Sequence, residues 1–181
     1  MLAPESPAIG IDSLAPGKTG RCLVPLVTSK EKAPAPGTAP SPNLQLAFKS
    51  NATGIVYAQA PTPLHVVYSD ANSVDKKAFL QAWKSLPDTS EASRDLPSAF
   101  SGDADDVVQA LELSNVFTVA RRANAQGETV VYAYARTDFD TLFLAEVTLR
   151  ESLRHRVSLK TQNLQAFEAL FMHSIHAILN P

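Results

Sequence analysis

Two segments, Thr129–Arg136 (TVVYAYAR) and Leu142–Arg150 (LFLAEVTLR), alternate residue by residue and constrain the fold more than any other part of the chain. In the first, Val131, Ala133 and Ala135 share one face, while Val130, Tyr132, Tyr134 and Arg136 share the other. In the second, Phe143, Ala145, Val147 and Leu149 lie opposite Leu142, Leu144, Glu146 and Thr148. A side-chain period of two belongs to a strand. One apolar face backed by a mixed one indicates an antiparallel sheet with one side packed and the other partly open. Val116–Arg121 reads as a third strand, joined to the first pair by Ala123–Glu128, where Asn124 and Gly127 permit a hairpin. Arg156–Lys160 reads as a fourth.

Helices flank these strands. After a short strand predicted at His65–Tyr68, Asp70-Ala71-Asn72-Ser73 supplies turn and N-cap chemistry. A helix then runs to about Leu86, with Phe79, Trp83 and Leu86 on one stripe, and Pro87 stops it. Ser101 and Asp103 can cap a second helix over about Ala104–Leu113, whose acidic first turn suits the positive end of the helix dipole. Asn163 can cap a final helix rich in Phe167, Leu170, Phe171, Ile175 and Ile178. The fold class expected for this half is α+β, an antiparallel sheet with helices packed on it.

The texture is different before residue 60. Eight of the 13 prolines lie in the first 42 residues, and Ser29–Pro42 reads as a polar, proline-rich loop. Short strands are expected at Ala8–Ile11, Arg21–Val27, Leu44–Phe48 and Ile55–Ala58. Four broken strands suggest part of a β-sandwich. Residues 1–59 are therefore read as a partial β-sandwich subdomain and residues 60–181 as an α+β platform subdomain.

Composition removes several function classes. A net charge of −2 argues against broad attraction to nucleic acid or anionic lipid. No apolar run is long enough for a membrane span. The first residues lack the basic and apolar regions of a secretory leader, so none is expected. Cys22 is the lone cysteine, which fits a reducing compartment. Asn51-Ala52-Thr53 has the glycosylation pattern but, with no leader expected, is read as coincidence.

Little in the chain resembles catalytic chemistry. GxSxG, GxxxxGK[ST], GxGxxG and HExxH are absent. His173 and His176 stand on adjacent helical turns but lack a third ligand, and His155, between Arg154 and Arg156, reads as a solvated turn. Asp103, Asp105 and Asp106 lack the glycine and closing glutamate of a calcium loop, so they read as capping. No catalytic residue, metal site or cofactor is expected, and the chain is read as non-enzymatic. Arg121-Arg122 and Arg154-His155-Arg156, near Tyr132 and Tyr134, raise a nucleic-acid-binding sheet as a reading of a different class. Spacing alone reads Trp83 as core, yet a tryptophan at a helix end also suits a half-buried interface anchor.

FLQAWKSLP, NVFTVARR, VVYAYAR and LFLAEVTLR, in this order, resemble the C-terminal appendage (ear) of the β-adaptins, the large subunits of clathrin adaptor complexes. The resemblance continues through RVSLKTQN and back through PLHVVYSD and NLQLAFKSN. It implies a β-sandwich subdomain followed by a platform. The family's sandwich begins before the position matching Met1, so only its later strands are expected here. The related appendage of a coatomer subunit is the alternative within the same class.

The resemblance further implies a platform surface that binds short helical peptides, with an apolar anchor in a pocket and an arginine held by acidic residues. Its positions fall on Trp83, Glu91, Arg122, Tyr132 and Glu146. A second peptide site on the sandwich side falls on Tyr57 and Lys49. The chain departs from the pattern by one extra residue between Lys49 and Tyr57, by a longer turn between Arg122 and Tyr132, and by loss of a family tryptophan near Leu142. Implied partners are short linear motifs of endocytic and trafficking accessory proteins, cargo adaptors, clathrin, and other adaptor-complex subunits through the rest of the parent chain. No nucleic acid is expected, and contact with membrane is only indirect, through the complex. The implied location is cytoplasmic and peripheral, on clathrin-coated vesicles or pits at the Golgi or plasma membrane.

Overall fold

A five-stranded antiparallel sheet between helices organises the C-terminal two-thirds of the chain. The computed structural model describes residues 2–4, 13, 15–21, 23–28, 38–41, 43–70, 74–97, 102–150 and 154–180. The expected strand Ala8–Ile11, Cys22, most of the Ser29–Pro42 loop, residues 71–73 and the candidate cap Ser101 lie outside these residues.

Among the described residues four strands come first, two of three residues and two of eight. β1 (Leu2–Pro4) pairs with β2 (Leu26–Thr28), and β3 (Asn43–Ser50) pairs with β4 (Gly54–Pro61), each as a separate two-stranded antiparallel sheet. The β3–β4 hairpin turns through residues 51–53 into Gly54, whose φ of 75° is open to glycine without penalty. Phe48, Ile55, Val56 and Tyr57 on it are all exposed. The expected strand at Arg21–Val27 narrows to Leu26–Thr28.

The large sheet has the order β5-β9-β8-β7-β6, built from β5 (Glu91–Pro97), β6 (Phe117–Ala123), β7 (Thr129–Arg136), β8 (Leu142–Leu149) and β9 (Arg154–Lys160). The β6–β7 turn is held by Asn124, whose side-chain oxygen accepts from the Gln126 and Glu128 N–H groups, with Gly127 at φ 81°. The face carrying Val131, Ala133, Phe143, Ala145, Val147, Val157 and Leu159 packs against α2 (Ala104–Leu113) and α3 (Leu164–Ile178), forming the main core with Leu111, Phe167, Phe171 and Ile175. The other face meets α1 (Lys76–Ser85) in a smaller cluster of Phe79, Tyr134 and Leu144.

Local chemistry sets the helix ends. Asp103 caps α2 in a reciprocal arrangement with Asp106. α1 is capped by Asp75, which accepts from the Ala78 N–H at 2.7 Å. Asn163 occupies the N-cap position of α3.

Two expectations are corrected, and one strand has no counterpart in the sequence reading. His65–Tyr68 is not a strand: Leu64–Val67 forms a 3-10 turn, and Tyr68 makes only an isolated bridge to Thr137. The buried residues Leu64, Val67 and Tyr68 fall at helical spacing, and Ser174 Oγ on α3 accepts the His65 N–H. His155 is not in a solvated turn but inside β9, 6% exposed, on the core side of the strand with Val157 and Leu159. β5 was not anticipated at all. Its residues EASRDLP show no apolar alternation, because an edge strand needs little apolar surface to pair.

Candidate functional site

The open face of the sheet is read most directly as rows across the strands. In the first row Phe117 pairs with Tyr134, Tyr134 with Leu144, Leu144 with Lys160, and Lys160 with Glu91. In the second, Ala120, Tyr132, Glu146, Ser158 and Ser93 stand side by side. In the third come Arg122, Val130, Thr148, Arg156 and Asp95.

Arg122 reaches this face through a local irregularity. The β6–β7 register shifts between Thr118 and Ala120, so Val119 is an extra residue. A bulge of one residue inverts the alternation beyond it. Strict alternation would place Arg122 with Thr118 on the packed side; instead Arg121 points there and pairs with Asp105 of α2. Arg122 is left beside the site.

α1 completes the surface. Pro87 and the 3-10 turn Asp88–Ser90 end it just after Trp83, so the indole lies half-buried at the helix's last turn. The Phe79 ring is 5.7 Å from Trp83 and, edge-on, 6.1 Å from Tyr132. The Arg122 guanidinium carbon lies 5.0 Å from the Tyr132 ring centre. The Tyr132 hydroxyl faces both Glu146 and Arg122; burial and the Glu146 carboxylate push its pKa up, and Arg122 partly offsets them. Ser93 and Ser158 share a hydrogen bond of 2.7 Å beside Glu146.

The fifth predicted residue, Glu91, joins through a residue that sequence reasoning missed. Lys160, 3% exposed, places its Nζ 5.7 Å from the Trp83 ring centre, 3.5 Å from Asp88 Oδ1 and 3.6 Å from Glu91 Oε2. Its signal was present: Arg156, Ser158 and Lys160 alternate with Val157 and Leu159 in β9. Without β5, however, nothing indicated a carboxylate across from it. The five predicted platform residues therefore form one chain of contacts, from Glu91 through Lys160 to Trp83, then through Phe79 to Tyr132, and on to Glu146 and Arg122. Leu142, near which the resemblance implied the loss of a tryptophan, packs against the Phe79–Tyr134–Leu144 cluster.

Lys49 and Tyr57 lie elsewhere, on the β3–β4 hairpin. Lys49 pairs with Ile55 and Ala47 with Tyr57, so the two are diagonal neighbours on one face, and Tyr57 is 77% exposed. Among the described residues no group of three or more His, Cys, Asp or Glu stands where it could hold a metal ion. No helix of the described residues is long and apolar enough to cross a membrane.

Residues 69–179 match the family model of the β2-adaptin appendage, C-terminal sub-domain. The chain belongs to this family. The match covers the five-stranded sheet and helices α1, α2 and α3, and it decides between the β-adaptin and coatomer alternatives in favour of the first. The appendage is similar to the AP-1 complex subunit beta-1 of Homo sapiens, 31% identical over 152 residues, covering 82% of this chain and 15% of the relative. It is also similar to the AP-1 complex subunit beta-1 of Rattus norvegicus, 29% identical over 180 residues, covering 93% and 18%. The AP-1 complex subunit beta of Dictyostelium discoideum is 25% identical over 126 residues, covering 68% and 13%. The chain thus spans less than a fifth of the length of these curated relatives.

Proposed function

We propose that this appendage is a non-enzymatic docking module of a clathrin-adaptor β subunit. It recruits accessory proteins, cargo adaptors and clathrin through short peptide motifs in vesicle-mediated transport. In this reading residues 60–181 act as the platform, residues 1–59 as the sandwich part, and Lys49 with Tyr57 as a second docking point. The module works on the cytoplasmic side of coated membranes, at the Golgi or plasma membrane, held there by the rest of its complex.

The observation that carries the reading is the continuous contact chain from Glu91 to Arg122 across an open sheet face. It combines a half-buried aromatic floor, Trp83 and Tyr132, with carboxylates at Glu91 and Glu146. An aromatic anchor site beside carboxylates suits an apolar side chain followed by a guanidinium. Single motifs bind such surfaces weakly, and several motifs on one partner raise the avidity.

The test is a titration of a synthetic helical peptide bearing one Phe and one Arg. Trp83→Ala is expected to weaken binding by about 2 kcal/mol or more, as loss of an interface anchor does. If Trp83→Ala instead lowers the unfolding free energy by about 3–5 kcal/mol, as truncation of a fully buried tryptophan would, with peptide affinity unchanged, the anchor reading fails.

A further inference from the structure

Lys160 is the least expected residue on the open face. Its position in β9 faces Leu144 across the sheet and lies against the aromatic cluster of α1, surroundings that an apolar side chain would fill at no desolvation cost. Replacing a buried ion pair by an apolar group is often neutral or stabilising, so fold stability does not call for an ammonium here. The ammonium nonetheless has three defined neighbours: the Trp83 ring, Glu91 and Asp88. Asp88 is fully solvated and contributes little. Glu91 is two-thirds shielded, and the indole presents its negative ring face to the cation.

We infer that Lys160 is a positioning residue that gives the site a direction. It holds the Trp83 indole and the Glu91 carboxylate in place, so a docked peptide lays an apolar or acidic side chain over Trp83 and its basic side chain toward Glu146. The inference rests on the peptide-docking reading above and names the ligand class of that site.

A cation placed at the Trp83 end meets the fixed charge of Lys160 and competes with it for both the ring and Glu91. One row away, Glu146 stands beside Ser158 and Tyr132, and none of the ion pairs among the described residues includes its carboxylate; Arg122 meets the Tyr132 ring and hydroxyl instead. The two ends of one surface therefore differ in the charge they accept, and a reversed peptide is penalised by like charges brought together.

Trp83 is the one tryptophan of the chain, so its fluorescence reports on Lys160 without any ligand. Lys160→Met keeps the aliphatic stem and removes the charge; Lys160→Arg restores a cation. In the free protein, Lys160→Met is expected to shift the Trp83 emission and lower its anisotropy, and Lys160→Arg to return both toward wild type. Two helical peptides then read the direction: one with Phe at the anchor and Arg a turn or more beyond, and one with the two exchanged. Wild type is expected to prefer the first by at least about tenfold, and Lys160→Met to reduce that preference to about threefold or less, chiefly by tighter binding of the second. Unchanged fluorescence in Lys160→Met, or an unchanged peptide preference, overturns the inference. If neither peptide binds wild type, the docking reading fails, while the fluorescence of the free protein still decides whether Lys160 positions Trp83.

Discussion

Tyr132 on β7 and Glu146 on β8 are direct cross-strand partners, and the Tyr132 hydroxyl faces the Glu146 carboxylate on one side and the Arg122 guanidinium on the other. The phenol so placed is a neutral spacer between opposite charges. In the docking reading it leaves the half-buried Glu146 carboxylate available to a ligand's cation.

Removing that charge gives the first prediction. Glu146→Gln keeps the size and hydrogen-bonding capacity of the side chain and is expected to weaken an Arg-containing peptide by about 1.5–3 kcal/mol, the range for a hydrogen bond to a charged group. The difference between wild type and variant should shrink as salt rises, since the site is open to solvent. A peptide with norleucine in place of the arginine serves as control. Equal losses for both peptides would mean that Glu146 supports the sheet and does not meet the ligand's cation.

Why Arg122 and not Arg121 belongs to this group could not be derived from alternation. The period of two in Thr129–Arg136 and Leu142–Leu149 was legible because each strand is buried on one face, so every side chain carries information about its side. In β6 the extra residue Val119 breaks the pattern, and bulges leave no compositional mark. Arg122 was assigned through the family resemblance alone. Glu91 was named in the same way, while its strand stayed invisible, because an edge strand with Ser93, Arg94 and Asp95 buries too little apolar surface to show a pattern. Lys160 illustrates a third limit: a charged residue in a strand reads as solvent-facing until its neighbours are known. The 3-10 turn at Leu64–Val67 reads as a strand in the sequence because helical and extended spacing are hard to separate over four residues.

The second prediction concerns acid. His155 is buried on the core side of β9, its Nδ1 accepts the Arg150 N–H at 3.3 Å, and burial lowers its pKa below the usual value of about 6.5. His65 is lowered by burial and by the neighbouring His173. A fold that resists protonating these rings binds fewer protons than the unfolded chain as pH falls below about 6.5. Their contribution to stability is therefore present above that pH and is lost as pH drops toward the folded-state values. The melting temperature should fall between about pH 7.5 and about pH 5.5, and His155→Gln, which keeps an acceptor for the Arg150 N–H, should show a shallower fall. Parallel curves for variant and wild type would remove His155 from the account.

The third prediction compares the two halves. Phe48, Ile55, Val56 and Tyr57 on the β3–β4 hairpin are exposed, whereas Val131, Phe143 and Val147 of the large sheet are fully buried. Isolated two-stranded hairpins are marginal in water. Amides of residues 44–60 should therefore exchange with solvent much faster than those of residues 130–148. Similar protection in both regions would show that the hairpin is covered in solution by a layer absent from the described contacts.

The last prediction separates a peptide-docking surface from a nucleic-acid-binding sheet. The two basic pairs that raised the second possibility are split by the fold. Arg121 turns to α2 and pairs with Asp105, while Arg122 lies over Tyr132 on the opposite face. His155 is buried between the exposed Arg154 and Arg156. Arg122 and Arg156 do share a row, but Val130 and Thr148 stand between them, which puts their strands roughly 14 Å apart at three strand spacings. The same row ends at Asp95, which pairs with Arg150. A backbone of phosphates needs a continuous cationic track, and this surface offers isolated cations beside carboxylates. Arg122→Glu is expected to weaken a peptide with acidic residues beside its anchor and to leave the melting temperature nearly unchanged, since reversing an exposed charge disturbs stability little. That loss alone would suit either reading, so the deciding measurement is a titration of the wild-type protein with single-stranded oligonucleotide at two salt concentrations. Phosphate contacts would give binding at low salt that collapses as salt rises. No binding is expected at either concentration. Micromolar, strongly salt-dependent binding that Arg122→Glu abolishes would falsify peptide docking as the primary use of this face.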